Sequence, residues 1–316
     1  MRSAKATRAS FGEILVELGG KYPEIVVLEA DLAKSTYSYM FGEKFPNRYF
    51  EMGIAEANMI GTGSGLALSG KVAFICSFSC FVTGRYDIIR MSIAYPNANV
   101  RIVGTHAGLA VGEDGNSQQG LEDISIMRSL PNMSIIQPGD DIETKQAIEY
   151  SIKHKGPIFF RLTRQKLEPI HSETYKFQFG KGVTIKDGND LTFFCSGGTV
   201  YNTLQAAYHL EKKGIKARVV NIHTIKPIDL ELIIQCAKET KRFITVEDHN
   251  IIGGLGSAIS EVVTEHYPVH IKKIGLNDCF GESGKPDDLY KKHGLDIESI
   301  HKSAKEFIKN NQTVFV

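Results

Sequence analysis

Three polar stretches carry the residues most able to do chemistry. The first is EMGIAEANMIGTGSGLALSG, residues 51–70, where Glu56 stands alone among small and apolar side chains. A carboxyl in such surroundings is a candidate for acid–base work. The second is THAGLAVGEDGNSQQG, residues 105–120, which gathers His106, Asp114 and Gln118. The third is FSCFVTGR, residues 78–85, with two aromatic rings, Phe78 and Phe81, three residues apart. Singly, each has an ordinary explanation: a solvated helix charge, a polar loop, two core aromatics. The cysteines offer little. Cys76, Cys80, Cys195, Cys236 and Cys279 are scattered, odd in number and without metal-site spacing, as for free thiols in a reducing compartment. GGLGSA, residues 253–258, departs from the dinucleotide fingerprint GxGxxG and reads instead as a tight strand-to-helix turn.

The elements that must position these residues alternate along the chain. IVVLEAD (25–31), VAFICSF (72–78), VRIVGTH (100–106), SIIQPGD (134–140) and IFFRLTR (158–164) read as buried strands. AEANMIGTGSGLALSG (55–70) and GRYDIIRMSIAYP (84–96) read as helices between them. This order predicts an α/β fold with a parallel sheet covered on both faces. Ligands bind such sheets at the carboxyl ends of the strands, where Asp31, Phe78, His106 and Arg164 fall. Residues 171–190 lack periodicity and read as a linker between domains at 1–170 and 191–316. The second domain repeats the alternation, from LTFFCSG (191–197) to VHIKKIGL (269–276), so two doubly wound domains are expected. With 42% hydrophobic and 23% charged residues the composition is that of a globular protein, and a formal net charge of +1 provides no basic field for nucleic acid or membrane. The basic N-terminus has no apolar h-region behind it and no apolar window is long enough for a membrane span, so a cytoplasmic location is expected.

The GIAEAN, FSCF and THAGLAVGEDG motifs resemble transketolase, over essentially the whole chain but only the second half of a fused enzyme. The resemblance implies a pyrimidine-binding domain followed by a smaller transketolase C-terminal domain, with thiamine diphosphate as cofactor. It implies that Glu56 shares a proton with N1′ of the cofactor's aminopyrimidine, so that the ring's own exocyclic nitrogen acts as base. Phe78 and Phe81 would hold that ring, and Asp31 would lie near it. Many transketolases place a Tyr where this chain has Gly84, so the ring pocket is expected to be open, or filled by Tyr86 or a partner chain. Arg8, Ser35, His106 and Arg164 match the phosphate-binding set, and two guanidiniums, an imidazole and a hydroxyl suit a tetrahedral anion. Asp114 would bond a substrate hydroxyl. Gln118 departs from the family, which has His there. Gln hydrogen-bonds but carries no proton or charge near neutral pH, so donor choice is the property most affected.

The family's metal ligands, a GDG motif with an Asn about 25–30 residues on, have no counterpart here. The resemblance therefore implies a separate N-terminal subunit that holds Mg²⁺ or Ca²⁺ and the cofactor's pyrophosphate, in an α2β2 heterotetramer acting on sugar phosphates. Sulfonated or branched ketoses are alternative donors. Two other readings stay open: the β subunit of a 2-oxo acid dehydrogenase, which shares the plan but needs no phosphate pocket, and an inactive regulatory paralogue.

Overall fold

The apolar runs of the first half form strands buried on both faces, as a parallel sheet covered by helices requires. The structure, a computed structural model, describes residues 2–310. Its larger sheet has seven strands. Their order is Thr224–Lys226, Ser134–Ile136, Ile158–Arg161, Val100–Thr105, Val72–Phe78, Ile25–Glu29, Tyr49–Glu51. All pair in parallel except Thr224–Lys226, an antiparallel edge strand from the second half of the chain. Side chains alternate between the faces, so adjacent strand residues feed different cores. Val26, Leu28, Ala73 and Ile75 pack with Met59 and Ile60 of helix Glu56–Leu68. Ile25, Val27, Val72 and Phe74 pack with Phe11 and Leu15 of helix Thr7–Lys21 and Ile148 of helix Asp141–Lys153.

The smaller sheet runs His270–Leu276, Arg242–Asn250, Leu191–Cys195, Ala217–Asn221, Val183–Lys186, with the last strand antiparallel. Helices Val200–Glu211 and Ile297–Asn310 share one of its cores, and Leu230–Thr240 and Leu255–His266 the other. Lys5–Ala6 and Lys166–Leu167 form a separate two-stranded antiparallel ribbon, and the described residues thus make an α/β protein with two larger, mainly parallel sheets.

Several local details differ from the sequence expectation. Val183–Lys186 lies inside the stretch read as a linker and is a strand. At a sheet edge none of its positions is fully buried, which explains why it lacks an apolar run. Residues 84–96 are not one regular helix: Tyr86–Ile88 is α-helical and Ile89–Ala94 is a π-helix. The turn at 251–254 is held by Glu247, whose carboxylate accepts from Leu255 N at 2.6 Å and Gly256 N at 2.9 Å. These are orphan donors of the first helical turn. Gly254 is required because a Cβ there would lie 2.0 Å from Glu247 Oε2. Among the described residues no helix is long and apolar enough to cross a membrane.

Candidate active site

The central strands of the larger sheet deliver the predicted residues to one edge. Val72–Phe78 ends at Phe78, which begins the short helix Ser79–Thr83 carrying Phe81. The two rings stack with centroids 5.5 Å apart and planes 10° apart. The imidazole of His106 stacks on Phe78 at 3.7 Å. His106 directly follows strand Val100–Thr105 and adopts the left-handed φ of 55°. For a buried non-glycine residue this conformation costs energy and persists where neighbours dictate it.

Those neighbours fix the tautomer. Arg8 Nη1 lies 3.1 Å from His106 Nε2, and Thr105 Oγ1 lies 2.9 Å from Nδ1. A guanidinium only donates, so Nε2 accepts and the ring proton sits on Nδ1, donating to Thr105. Burial, followed by the charges of Arg8 and Arg164, pushes the imidazole pKa down to about 3. His106 is therefore a neutral ring at physiological pH.

Arg8, on the first turn of helix Thr7–Lys21, also donates to the Ser35 carbonyl at 2.7 Å and lies 5.3 Å from the Tyr37 ring centroid. Its Nε is buried and has no hydrogen-bond partner among the described residues. Its pKa is lowered, first by burial and then in part by Arg164. Arg164 donates to the Val111 carbonyl and reaches Asp114 Oδ2 at 3.5 Å. Two guanidiniums thus converge with an unused buried donor, an arrangement that calls for an anion. Ser35 contributes its backbone carbonyl to this group.

Glu56 is the first residue of helix Glu56–Leu68 and is 5% exposed. Among the described residues its closest charged partner is Arg85 Nη2, at 4.0 Å, just beyond the Phe81 helix. No chain donor lies within hydrogen-bond distance of its carboxylate in the described structure, which leaves it able to engage a ligand. Asp31 is exposed with φ 62°, and its N–H donates to Glu51 Oε1 at 2.7 Å. Asp114 and Gln118 lie on the loop following His106; Gln118 Oε1 accepts from the Ser117 hydroxyl. Cys80 Sγ donates to the Ser117 carbonyl at 3.5 Å, bringing this loop against the Phe81 helix. Tyr86 does not fill the space at Gly84: its hydroxyl lies 3.1 Å from Ser129 Oγ and its ring packs on the core.

The structure adds residues not singled out in the sequence. Arg161 and Asp123, each 1% exposed in the side chain, form an ion pair in which Arg161 Nε lies 2.9 Å from both carboxylate oxygens. Asp123 also accepts from Ser79 Oγ, at the start of the Phe81 helix. The only sequence signal was a charged residue inside the apolar run IFFRL. Glu29 ends its strand fully buried and accepts from Ala30 N, Thr36 Oγ1 and Ser38 Oγ, bracing the turn that presents Ser35 and Tyr37 to Arg8.

Comparison with known proteins decides the family. The description "Transketolase, pyrimidine binding domain" matches residues 3–169, and "Transketolase, C-terminal domain" matches residues 180–300. The chain belongs to the transketolase family. A Methanocaldococcus jannaschii protein named for a transketolase C-terminal section is 49% identical over 96% of this chain and 97% of its own length. The 6-deoxy-6-sulfo-D-fructose transketolase subunit SqwH of a Clostridium species is 38% identical over 95% of this chain and 93% of its own. A solved split-gene transketolase, an inactive beta4 tetramer, superposes with a TM-score of 0.88 at 41% identity, covering 97% of this chain and 99% of that one. Against the rat transketolase, at 37% identity, the chain spans 49% of the relative's length. These findings select transketolase over the dehydrogenase β subunit. The transketolase family depends on thiamine diphosphate. The residues present fit that cofactor's aminopyrimidine: half-buried Phe81, backed by Phe78, offers an aromatic face, and among the described residues the buried Glu56 carboxylate has no chain donor. Among the described residues no group of three His, Cys, Asp or Glu is placed to hold a metal ion.

Proposed function

We propose that this chain is one subunit of a two-chain transketolase that moves a two-carbon ketol unit from an anionic ketose to an aldose phosphate. Its N-terminal partner supplies the pyrophosphate and Mg²⁺ (or Ca²⁺) site, in an α2β2 assembly. The names of relatives support a divided enzyme. SqwH is named as a subunit, and so is a Phocaeicola vulgatus component of apulose-4-phosphate transketolase. The latter is 37% identical over 96% of this chain. The free thiols suit a reducing compartment, and we place the enzyme in the cytoplasm.

When bound, thiamine diphosphate supplies the carbanion chemistry that breaks and remakes the bond between a ketose's second and third carbons. Glu56 would hold the proton at N1′ of the aminopyrimidine, and Phe81, backed by Phe78, would hold that ring. Asp31 would lie near the cofactor. Asp114 and Gln118 bond the sugar hydroxyls. Arg8 and Arg164 pair with the terminal anion, while Ser35 and the neutral His106 fix the Arg8 fork. His106 keeps its proton on Nδ1, so Nε2 steers Arg8 rather than competing with it for the anion.

The observation that carries this reading is the meeting of Arg8, His106 and Arg164 beside the stacked phenylalanines, with Arg8 Nε buried and unpartnered. Gln118 adapts the site to a specialised donor. Two relatives are named for particular sugars, 6-deoxy-6-sulfo-D-fructose and apulose 4-phosphate, which makes those the first compounds to try. The test is ketol transfer by the co-purified pair on a panel of ketoses ending in phosphate, sulfonate or hydroxymethyl. Preference for the anionic ketoses is expected. A preference for uncharged ketoses would reject the anion pocket.

A further inference from the structure

The loop that carries Asp114 and Gln118 belongs by sequence to the first domain, yet its shape is set from the second. At its start, Leu109 N donates to Asp248 Oδ1 at 2.9 Å. Asp248 is 3% exposed, on strand Arg242–Asn250 of the smaller sheet. The other carboxylate oxygen accepts from Tyr290 OH at 2.8 Å. The fit is close enough to dictate glycine: a Cβ on Gly108, whose φ is +89°, would lie 2.0 Å from Asp248 Oδ2.

At its end, Gln119, 2% exposed, donates from Nε2 to the Glu282 carbonyl at 3.0 Å and to the Leu109 carbonyl at 3.3 Å. One amide therefore ties the two ends of the loop to each other and to the second domain. Asn116 Oδ1 accepts from Gly281 N at 3.1 Å. Gly115 faces Ser283, whose Oγ would stand 2.4 Å from a Cβ there. Gln118 lies between these anchored positions, and Asp114 next to them.

Buried, hydrogen-bonded contacts at both ends leave the loop little freedom to re-aim its side chains. The geometry points to Asp248 and Gln119 as positioning residues for donor recognition: the C-terminal domain holds residues 108–120 so that Asp114 and Gln118 address the sugar. This rests on the transketolase reading above, and it gives a role in substrate choice to a domain that contributes none of the proposed substrate contacts.

The test compares Asp248→Asn, Asp248→Ala and Gln119→Ala in the co-purified pair. Asparagine retains an acceptor for Leu109 N, so Asp248→Asn should keep a near-wild-type donor KM. Asp248→Ala and Gln119→Ala should raise donor KM on the order of tenfold, the scale of one lost buried hydrogen bond. The kcat and the affinity for thiamine diphosphate should hold. Hydrogen exchange supplies a readout independent of activity. In Gln119→Ala the amides of residues 109–119 should lose protection while those of strand Val72–Phe78 keep it. Unchanged donor KM in Gln119→Ala, or equal losses in donor KM, kcat and cofactor affinity, would overturn the assignment. So would unchanged protection of the loop. Should the wild-type pair fail to transfer ketol units at all, the functional reading falls, and the exchange experiment still decides whether the clamp exists.

Discussion

Replacing Arg8 by Gln removes one of two converging guanidiniums and the donor that holds His106 Nε2. The side chain is part-buried, and its Nε has no partner among the described residues. A hydrogen bond to a charged group contributes about 1.5–3 kcal/mol. Arg164 remains, but its side chain is 36% exposed, so solvent screens it and it only partly compensates. The expected loss is therefore at the lower end, about tenfold to thirtyfold in KM for a phosphate-terminated ketose. An uncharged ketose of similar length never makes this contact, and its kcat/KM should change by less than about twofold. The assay is steady-state ketol transfer by the reconstituted pair with both donors under the same acceptor. A parallel loss for both donors would mean that Arg8 supports the site's structure and not the anion. No loss for either would remove Arg8 from the site.

Glu56→Gln should abolish ketol transfer with circular dichroism and the unfolding midpoint unchanged; activity within about tenfold of wild type would remove the proton-sharing role. Gln118→His should alter the ratio of kcat/KM between donors, and an identical ratio would show that the position does not select substrate. Phe78→Ala should cost about 3–5 kcal/mol in chemical denaturation, because its 7% exposed ring packs on both Phe81 and His106; a cost under about 1 kcal/mol would contradict that packing. His106 stays neutral in the folded chain down to about pH 3, while the unfolded chain takes up the proton near 6.5. The unfolded state binds more protons between those values, so His106 makes stability fall as pH drops through that window. Arg8→Gln, by removing a charge that depresses this pKa, should shrink the difference in denaturation midpoint between about pH 7 and about pH 5; an enlarged difference would contradict that effect of Arg8.

The parallel core was legible because its central strands are buried at every position, so IVVLE and VAFICSF read as runs that are apolar but for Glu29 and Ser77. The site was legible where motif and strand end coincide, as at Phe78 and His106. Elements fixed by long-range contacts were not. Thr224–Lys226 is a strand only because Ile135 and Ile136 of the other domain stand ready to pair with it. Val183–Lys186 looks like a linker because an edge strand needs no continuous apolar face. Asp123, Arg161 and Asp248 are single charges whose meaning lies in partners dozens of residues away. Nor does the sequence show that Ser35 acts through its carbonyl, since its type suggests the hydroxyl.

The most direct test of the central claim is ketol transfer from an anionic ketose, with thiamine diphosphate and Mg²⁺, by this chain alone and by this chain assembled with its N-terminal partner. The account predicts turnover by the pair and none by either chain alone. Full turnover by this chain alone, or none by a pair that assembles and binds the cofactor, would contradict it.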